Sequence, residues 1–317
     1  MRTRVCDVLD IDVPIAQAGM STFTSPALVA AVANAGALGI LGALLRPAAQ
    51  LRADIRRIRE LTDRPFAVNH VLAHLNAEAL EVTFEEQVPI LSLAWGDPAA
   101  LVRRAHDAGM RVVHQVTTAS AAAHAADVGV DVIVAQGTDG GGHVGMIGTF
   151  ALLPAAIDAA FGVPVMAAGG IADGRGLAAA LAMGAEGVLM GTRFLATPEA
   201  PIADAWRQGI VAADETATVR TAAFDRALQM DWPGAEVRAL RNRFLEEWAL
   251  RPDAAAQHTA ELRPSLARAL ASGDFDWFPP MAGQSCALIT SVEPAAEIVR
   301  RIVAEAETVL RGLGRYV

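Results

Sequence analysis

Residues 163–194 read VPVMAAGGIADGRGLAAALAMGAEGVLMGTRF, and this stretch decides the fold. Two short apolar runs, Val163–Ala168 and Gly187–Met190, flank the alanine-rich segment Gly174–Met183, which has the composition of a helix. Neither apolar run alternates with polar residues, so each is expected to be a strand buried on both faces, as in a parallel sheet covered by helices. The stretch therefore predicts a strand–helix–strand unit of an α/β protein.

The same unit recurs along the rest of the chain. The six apolar runs that precede it are predicted strands at Pro14–Ala18, Leu38–Gly42, Phe66–Val71, Ile90–Ala94, Arg111–Val116 and Val130–Gln136. Helical segments separate these runs, at Pro26–Asn34, Pro47–Leu61, Ala77–Gln87, Pro98–Ala108, Ala119–Val128 and Leu152–Ala160. Eight strand–helix units in this order predict a (β/α)₈ barrel, the TIM barrel, with a doubly wound open sheet as the structural alternative.

The pattern changes after the eighth strand, where most of the tryptophans occur and no clear strand is visible. Predicted helices fill this part at Thr216–Met230, Glu236–Leu250 and Pro252–Ser272. We expect a helical cap, the substrate subdomain, over residues 206–285, inserted into a barrel domain of residues 1–205 and 286–317. The amphipathic segment Glu293–Arg311 would return as the eighth barrel helix. The cap tryptophans are expected in a packed core, with a homodimer interface as the alternative: Trp206, Trp232, Trp248 and Trp277.

Composition excludes several classes of function. Among the 317 residues there is no lysine, so any fixed cation beside a ligand must be arginine. The net charge of −9 and the absence of a basic block exclude nucleic acid as an expected partner. Two cysteines, Cys6 and Cys286, are too few for a disulfide framework or a metal cluster. The first residues lack the apolar core of a signal peptide, and no apolar run would span a membrane, so we expect a cytoplasmic protein.

A glycine-rich loop follows the sixth predicted strand. Residues 135–145 read AQGTDGGGHVG, with five glycines around His143. Ordering so many glycines costs backbone entropy, which a chain accepts where its backbone must approach a ligand closely. His143 is the one residue of this loop that can move a proton near neutral pH. We hypothesise that the loop closes over a flat cofactor and aims His143 at a substrate, the alternative being a flexible surface turn. Asp139 would cap the turn or orient His143.

Further glycines follow the last two strands. In barrel enzymes the chemistry lies at the carboxyl ends of the strands, and phosphate often binds after strands seven and eight. Gly169 and Gly170 follow the seventh strand, and Gly191 and Thr192 follow the eighth. Together they predict a phosphate site made of backbone amides and one hydroxyl, with tight turns chosen for packing as the alternative.

Polar side chains complete the predicted rim. The amides of Asn69 and Gln136 could bond the edge of a cofactor ring. His70 and His74 lack a third ligand in register, so no metal site is expected. Ser285 would either cap the last helix or reach the active site. The other histidines are expected on helix faces or in the core, at His106, His114, His124 and His258.

Four segments give the sequence a family resemblance: PIAQAGMSTFTSPALVAAVANAGALGILG (14–42), RPFAVNHVL (64–72), AQGTDGGGH (135–143) and the opening stretch 163–194. They resemble the nitronate monooxygenases, formerly called 2-nitropropane dioxygenases, from Pro14 to Pro201 and again at Pro280–Ser285. The resemblance implies a TIM barrel with an inserted helical cap, FMN held without a covalent bond, and His143 as the catalytic residue. His143 and Ser285 would touch the substrate. The implied and predicted cofactor contacts are Gly19, Met20, Ser21, Asn69, Gln136, Gly141, Gly142, Gly169, Gly170, Met190, Gly191 and Thr192.

The resemblance implies FMN-dependent oxidation of alkyl nitronates, or of neutral nitroalkanes, with dioxygen to a carbonyl compound and nitrite. Flavin-dependent enoyl-acyl-carrier-protein reductases have a similar histidine loop, so an NAD(P)H-dependent ene-reductase is the alternative. A flavin- or nucleotide-binding protein without turnover is a third class, which the intact rim and His143 argue against.

Two departures from the family concern the substrate rather than the cofactor. Asp139-Gly140 and Val144 stand where the family commonly has Glu-Ala and Arg. The chain has a single tyrosine, Tyr316, and no lysine, whereas relatives with well-understood nitronate chemistry place tyrosines and a lysine in the substrate pocket.

Overall fold

A closed barrel of eight parallel strands forms the centre of the computed structural model, which describes residues 1–316. All but β7, β10 and β11 belong to this barrel. In chain order the strands are β1 (Ile15–Gln17), β2 (Gly39–Gly42), β3 (Phe66–Val71), β4 (Ile90–Ala94), β5 (Arg111–Val116), β6 (Val132–Gln136), β7 (Gly142–Val144), β8 (Val165–Ala168), β9 (Gly187–Met190), β10 (Thr218–Thr221) and β11 (Glu236–Leu240).

The barrel closes where its first strand meets its second. Strand β1 pairs with β9 in parallel, with Ile15 opposite Val188. On its other side, Ala16 forms a parallel bridge with Leu38, and the Gln17 amide donates to the Leu38 carbonyl at 2.8 Å. This closure excludes the open-sheet alternative, and the TIM barrel predicted from the sequence is confirmed with all eight strands in place.

Helices alternate with the barrel strands. Those covering the barrel are α2 to α8 and α15, of which α15 packs against α8 and α2 as the expected eighth helix. The helices are α1 (Arg4–Leu9), α2 (Pro26–Asn34), α3 (Ala48–Leu61), α4 (Ala77–Glu85), α5 (Ala99–Asp107), α6 (Ala119–Asp127), α7 (Thr149–Ala159), α8 (Gly174–Ala182), α9 (Thr192–Leu195), α10 (Asp204–Ala212), α11 (Ala223–Leu228), α12 (Arg243–Trp248), α13 (Pro252–Gln257), α14 (Thr259–Ser272) and α15 (Ala295–Leu313). Short 3₁₀ turns lie at Ser21–Phe23, Leu72–His74, Gln284–Leu288 and Gly314–Tyr316.

The barrel has two apolar layers because successive strand residues point to opposite faces. One set, such as Ile40 and Val134, fills the barrel interior, while the alternate set, such as Leu41 and Ile133, packs against the surrounding helices. Helix α1 joins the interior cluster through Val5, Cys6 and Leu9. The alternating pattern therefore leaves polar and glycine residues to the loops at the carboxyl ends of the strands.

The cap differs from the helical insertion expected from the sequence. Strands β10 and β11 occupy the starts of two predicted helices, Thr216–Met230 and Glu236–Leu250, and only their second halves are helical. Together with β7 they form an antiparallel sheet in the order β10-β11-β7. The prediction was wrong there because strands this short gain their stability from pairing with distant segments, which local composition does not reveal. The predicted helix Pro252–Ser272 is divided into α13 and α14.

The cap tryptophans pack against neighbouring side chains. Trp206 is buried, with its ring 4.8 Å from that of Phe23 and 5.2 Å from that of Phe275. The Trp277 indole donates to the Ser265 hydroxyl at 3.0 Å. Their position agrees with the packed core expected from the sequence, whereas the proposed domain boundaries stay a prediction. Over residues 1–316, no helix combines the length and apolar character needed to cross a membrane.

Because two histidines are buried, we expect the free energy of unfolding to decrease in acid. Burial lowers the pKa of His70 and of His114 to about 4, from an ordinary value near 6.5. The unfolded chain binds these protons below pH 6.5 while the folded chain does not, so their stabilising contribution is present above pH 6.5 and lost as the pH falls towards 4. We expect urea titrations to show a loss of up to about 2 kcal/mol per histidine in the free energy of unfolding between pH 7 and pH 5.

The variant His70→Gln should lose one histidine's share of this pH dependence. Replacing the exposed His258 by Gln provides the matched control. In this variant the free energy of unfolding should change with pH as it does in the wild-type protein. If the free energy of unfolding of His70→Gln changes with pH as much as that of the wild-type protein, buried His70 does not cause the loss of stability in acid.

Candidate active site

A cavity of about 420 Å³ lies at the carboxyl ends of the barrel strands, between the barrel and the cap. Its wall includes all thirteen residues predicted for catalysis and cofactor binding, together with Ser285. These residues come from loops far apart in the chain, which the barrel brings to one rim because its parallel strands all end on the same side. The position of the predicted set therefore agrees with a single site.

The glycine loop enters the cap sheet through β7. His143 lies opposite Val237, and Gly142 lies opposite Arg238, in an antiparallel ladder with β11. The loop is therefore ordered by pairing with the cap, and the alternative of a flexible surface turn is excluded. Of the three residues of this strand, Gly142 and His143 line the cavity.

His143 is held by two residues of the cap. Its Nε2 lies 2.9 Å from Oδ1 of Asp225, and both side chains are nearly buried, at 12% and 6% exposure. The indole of Trp232 stacks on the imidazole, with 3.4 Å between ring centroids and 12° between ring planes. Asp225 fixes the tautomer because a carboxylate accepts the Nε2 proton, which leaves Nδ1 as the proton acceptor. The pair has the geometry of an oriented general base.

Arginines from the cap sheet lock the other end of the loop. The Arg238 Nε donates to the Thr138 carbonyl at 3.0 Å, and an Nη1 of Arg220 donates to the Thr138 hydroxyl at 2.8 Å. Burial, followed by the neighbouring charge of Arg220, lowers the pKa of the Arg238 guanidinium. Glu236 pairs with Arg220 at 2.9 Å and offsets part of that charge. The loop is thus clamped by side chains from β10 and β11.

For Asp139 and for Ser285 the sequence predicted two alternative roles, and the structure distinguishes between them. The Asp139 carboxylate accepts the Thr149 amide at 2.7 Å and caps the start of α7, while Asp225 holds His143. Ser285 lies in the 3₁₀ turn Gln284–Leu288 on the cavity wall. It does not cap the last helix, where the Ala295 amide bonds to Glu199 instead.

Two side-chain amides on the barrel rim have fixed orientations. The Asn69 Nδ2 donates to the Ser92 hydroxyl at 3.0 Å, and the Gln136 Oε1 accepts from the Gln115 Nε2 at 3.0 Å. All four side chains line the cavity. Amides held in this way can meet the donors and acceptors along the edge of a flat heterocycle.

The residues that follow β8 and β9 present backbone groups, and no charged side chains, to the cavity. Gly169 and Gly170 have φ angles of +99° and +76°, which residues other than glycine rarely adopt. The chain can therefore turn here, and no side chain stands between its backbone and the cavity. The first amides of α8 are already bonded, by Asp173 and by Glu305. An anion at this rim would therefore meet the backbone near Gly170, Gly191 and Thr192 rather than the start of α8. These glycines and the oriented amides fit a flavin nucleotide whose phosphate is held by backbone groups.

No group of three or more histidine, cysteine, aspartate or glutamate residues within the described part of the chain could hold a metal ion. His70 bonds to the Thr83 hydroxyl at 2.8 Å, and His74 lies against Trp232, with ring centroids 4.7 Å apart.

The cap side of the cavity is mostly apolar. It contains residues of α11, of α14 and of the segments around them. They are Phe224, Leu228, Met230, Leu266, Ala267, Leu270, Phe278 and Met281. The barrel thus contributes the glycines and the fixed amides, among apolar side chains such as Val113 and Leu189. The cap contributes a mostly apolar wall with His143 and Asp225 at its edge.

Comparison with known proteins gives this site a family. The model of the nitronate monooxygenase family matches residues 2–79 and 74–305. A protein of Staphylococcus aureus strain MSSA476 named "Probable nitronate monooxygenase" is 33% identical over 98% of this chain and 99% of its own length. The chain belongs to the nitronate monooxygenase family. As a member of this family it is an oxidoreductase, and the family's enzymes use flavin.

Solved structures with the same fold have different names. FabK from Thermotoga maritima is 36% identical, with a TM-score of 0.90 and full coverage of both chains. The nitroalkane oxidase from Streptomyces ansochromogenes is 29% identical, with a TM-score of 0.86, over 98% of this chain and 99% of that one. The shared fold is therefore compatible with more than one reaction.

Sequence reasoning missed Asp225 and Trp232 as partners of His143. Asp225 stands 82 residues after His143, in a segment predicted as one helix, and no local motif marks it. A weak signal existed in Asp231-Trp232-Pro233-Gly234, where proline and glycine predict a loop that could present an aromatic ring.

A methyl group added to the histidine loop tests how tightly it is held. At Gly141 the new carbon would lie 2.6 Å from the Ala282 carbonyl carbon and 2.6 Å from the Gly283 nitrogen, both of them backbone atoms. We expect Gly141→Ala to lower the free energy of unfolding by about 1–3 kcal/mol, measured by urea denaturation, because the loop must move away. At Gly148 the added carbon meets no atom within 4 Å, so Gly148→Ala serves as the control. Equal losses in the two variants would show that the loop is not tightly packed.

Proposed function

We propose that this protein is an FMN-dependent nitronate monooxygenase, which converts an alkyl nitronate and dioxygen into a carbonyl compound and nitrite. Membership of the family supports the reaction. The observation that carries the proposal is the His143–Asp225 pair at the edge of a cavity with a glycine-rich wall. Bound FMN supplies the electron acceptor for oxidation of the nitronate.

His143 acts on the proton of a neutral nitroalkane. With Nε2 bonded to Asp225, the imidazole presents Nδ1 as the atom that accepts a proton from the carbon beside the nitro group. The nearby carboxylate balances the positive charge that the ring then carries. For a nitronate that is already ionised, a protonated His143 would hold the anionic nitro group instead.

Trp232 limits the approach to His143. Its indole covers one face of the imidazole, so a substrate reaches the ring at its edge rather than on that face. The stacked ring and the buried Asp225 also keep water away from the proton-transfer atoms, because both side chains are at least nine-tenths buried. Fixed geometry of this kind is what a general base requires.

FMN would be held by the barrel wall. Asn69 and Gln136 would offer amides to the ring edge, and the backbone of Gly19, Met20 and Ser21 would run beside the ring. The backbone amides of Gly141 and Gly142 would stabilise negative charge on the flavin or on the nitro oxygens. The phosphate would meet the turn residues, which are Gly169, Gly170, Met190, Gly191 and Thr192.

A second candidate reaction is the NAD(P)H-dependent reduction of an activated alkene. The likeness to FabK, an enoyl-acyl-carrier-protein reductase, favours it, as does an apolar cap wall that can cover a hydrocarbon chain. In this reaction His143 would donate a proton to the carbon next to the carbonyl group.

An anaerobic titration distinguishes the two candidates. Purified protein with its flavin is mixed, without oxygen, with propionate 3-nitronate or with NADH or NADPH, and the flavin absorbance is followed. Rapid bleaching by the nitronate and slow bleaching by the nicotinamides is the expected result. Bleaching by NADH or NADPH alone would transfer the assignment to the reductase. A protein that neither contains nor takes up flavin would refute both.

Asp225→Asn tests how His143 is oriented. We expect kcat/KM for neutral nitroethane to fall by about 10²-fold, because an amide carries no charge to support the protonated ring. The loss with the preformed nitronate anion should be much smaller, since no proton has to be removed. His143→Asn should abolish activity on nitroethane while flavin stays bound.

Steady-state kinetics across pH measure both effects, and Asp231→Asn is the matched control. Asp231 is an exposed carboxylate beside Trp232. Equal losses with nitroethane and with the anion in Asp225→Asn would contradict a role in proton transfer.

A further inference from the structure

Helix α14 presents one face to the cavity. Arg263, Leu266, Ala267 and Leu270 all line it, and their spacing of three, four and seven residues places them on one side of the helix. Arg263 and Leu270 stand at the two ends of this face, about 10 Å apart along the helix axis. The face is therefore a guanidinium group followed by an apolar strip.

Arg263 is the one cation of the cavity wall that nothing neutralises. The ionisable groups on the wall are His143, Asp225 and Arg263. The first two bond to each other. Within residues 1–316, Arg263 has neither an ion pair nor a hydrogen bond with another residue.

The charges on the rest of the molecule are the background against which Arg263 would attract an anion. The protein carries a net charge of −9 and contains no lysine, so its general field repels anions. Many of its arginines lie beside carboxylates, as Arg104 does with Glu81 and Arg311 with Glu307. Arg263 is exposed to solvent and also lines the cavity, and guanidinium groups bind carboxylates and phosphates in a fork geometry.

Apolar side chains lie beside Arg263 on the cavity wall. Leu228 is the last residue of α11 and Met230 follows it, while Phe278 and Met281 come from the segment before the Gln284–Leu288 turn. They can cover a hydrocarbon chain but cannot satisfy a polar group.

We propose that Arg263 is a specificity-determining residue and that the natural substrate is an amphiphilic anion. Such a substrate has its reacting nitronate carbon near His143, an apolar chain along the α14 face, and a carboxylate or phosphate group at Arg263. This inference rests on the proposed function for the identity of the reacting group. The recognition of an anionic head on an apolar chain depends on the cavity alone.

Binding without turnover tests the inference. Octanoate, octyl phosphate and octanol share one apolar chain and differ in the head group. Tryptophan fluorescence reports their binding to the flavin-loaded protein, because Trp95, Trp206 and Trp232 line the cavity. Both anions are expected to bind more tightly than octanol to the wild-type protein, and the preferred anion identifies the head group.

Arg263→Gln should weaken binding of the preferred anion about three- to tenfold and leave binding of octanol unchanged. Arg268→Gln is the matched control, since Arg268 is exposed on the same helix but does not line the cavity. Circular dichroism checks that both variants keep the fold.

Each outcome decides the inference. It is overturned if Arg263→Gln keeps the preference for the anion, if Arg268→Gln loses as much, or if no ligand binds saturably. Failure of the nitronate reaction with retained, Arg263-dependent anion binding would reject the proposed function alone. Nitronate turnover with no preference for anions would reject this inference alone.

Discussion

The antiparallel ladder between β7 and β11 is the contact on which the site depends. Strand β7 is three residues long and belongs to a loop with five glycines, so it has little intrinsic order. Pairing with β11 supplies that order and aligns His143 with Val237. Because the same insertion carries Asp225 and Trp232, one packing event fixes the backbone, the tautomer and the ring plane of His143.

Holding the loop in this way requires the burial of a charged guanidinium group, that of Arg238, which loses its hydration. Arg238 is buried, and burial lowers the pKa of its guanidinium, so the charged form is held at some expense. Its hydrogen bonds to the Thr138 carbonyl and the Thr218 hydroxyl offset the lost hydration. The clamp therefore depends on several hydrogen bonds formed together, which favours one position of the loop over a range of positions.

Barrel and cap divide the chemistry of the cavity between them. The groups that suit a flavin nucleotide, which are glycine backbone, fixed amides and the Thr192 hydroxyl, all come from the barrel. The cap contributes mostly apolar side chains, with Asp225, Arg263, Ser285 and the Trp232 indole as its polar groups. A change on the apolar face of α14 can alter the substrate while leaving the groups on the barrel side in place. Such a division agrees with relatives that share this fold under names as different as FabK and nitroalkane oxidase.

The sequence by itself determined the barrel and the composition of its rim. Buried parallel strands are continuous apolar runs, and the residue types at their carboxyl ends can be listed as soon as the strands are located. Gly169, Gly170 and Gly191 were located in this way, and they line the cavity.

Only the tertiary structure decided what holds and surrounds His143. Asp225 is 82 residues away in the chain, and β10 and β11 contain charged side chains among their apolar residues, so they lack the continuous apolar run that marks the barrel strands. Long-range contacts of this kind depend on how the cap packs on the barrel, and the spacing of residues along the chain contains no record of that packing.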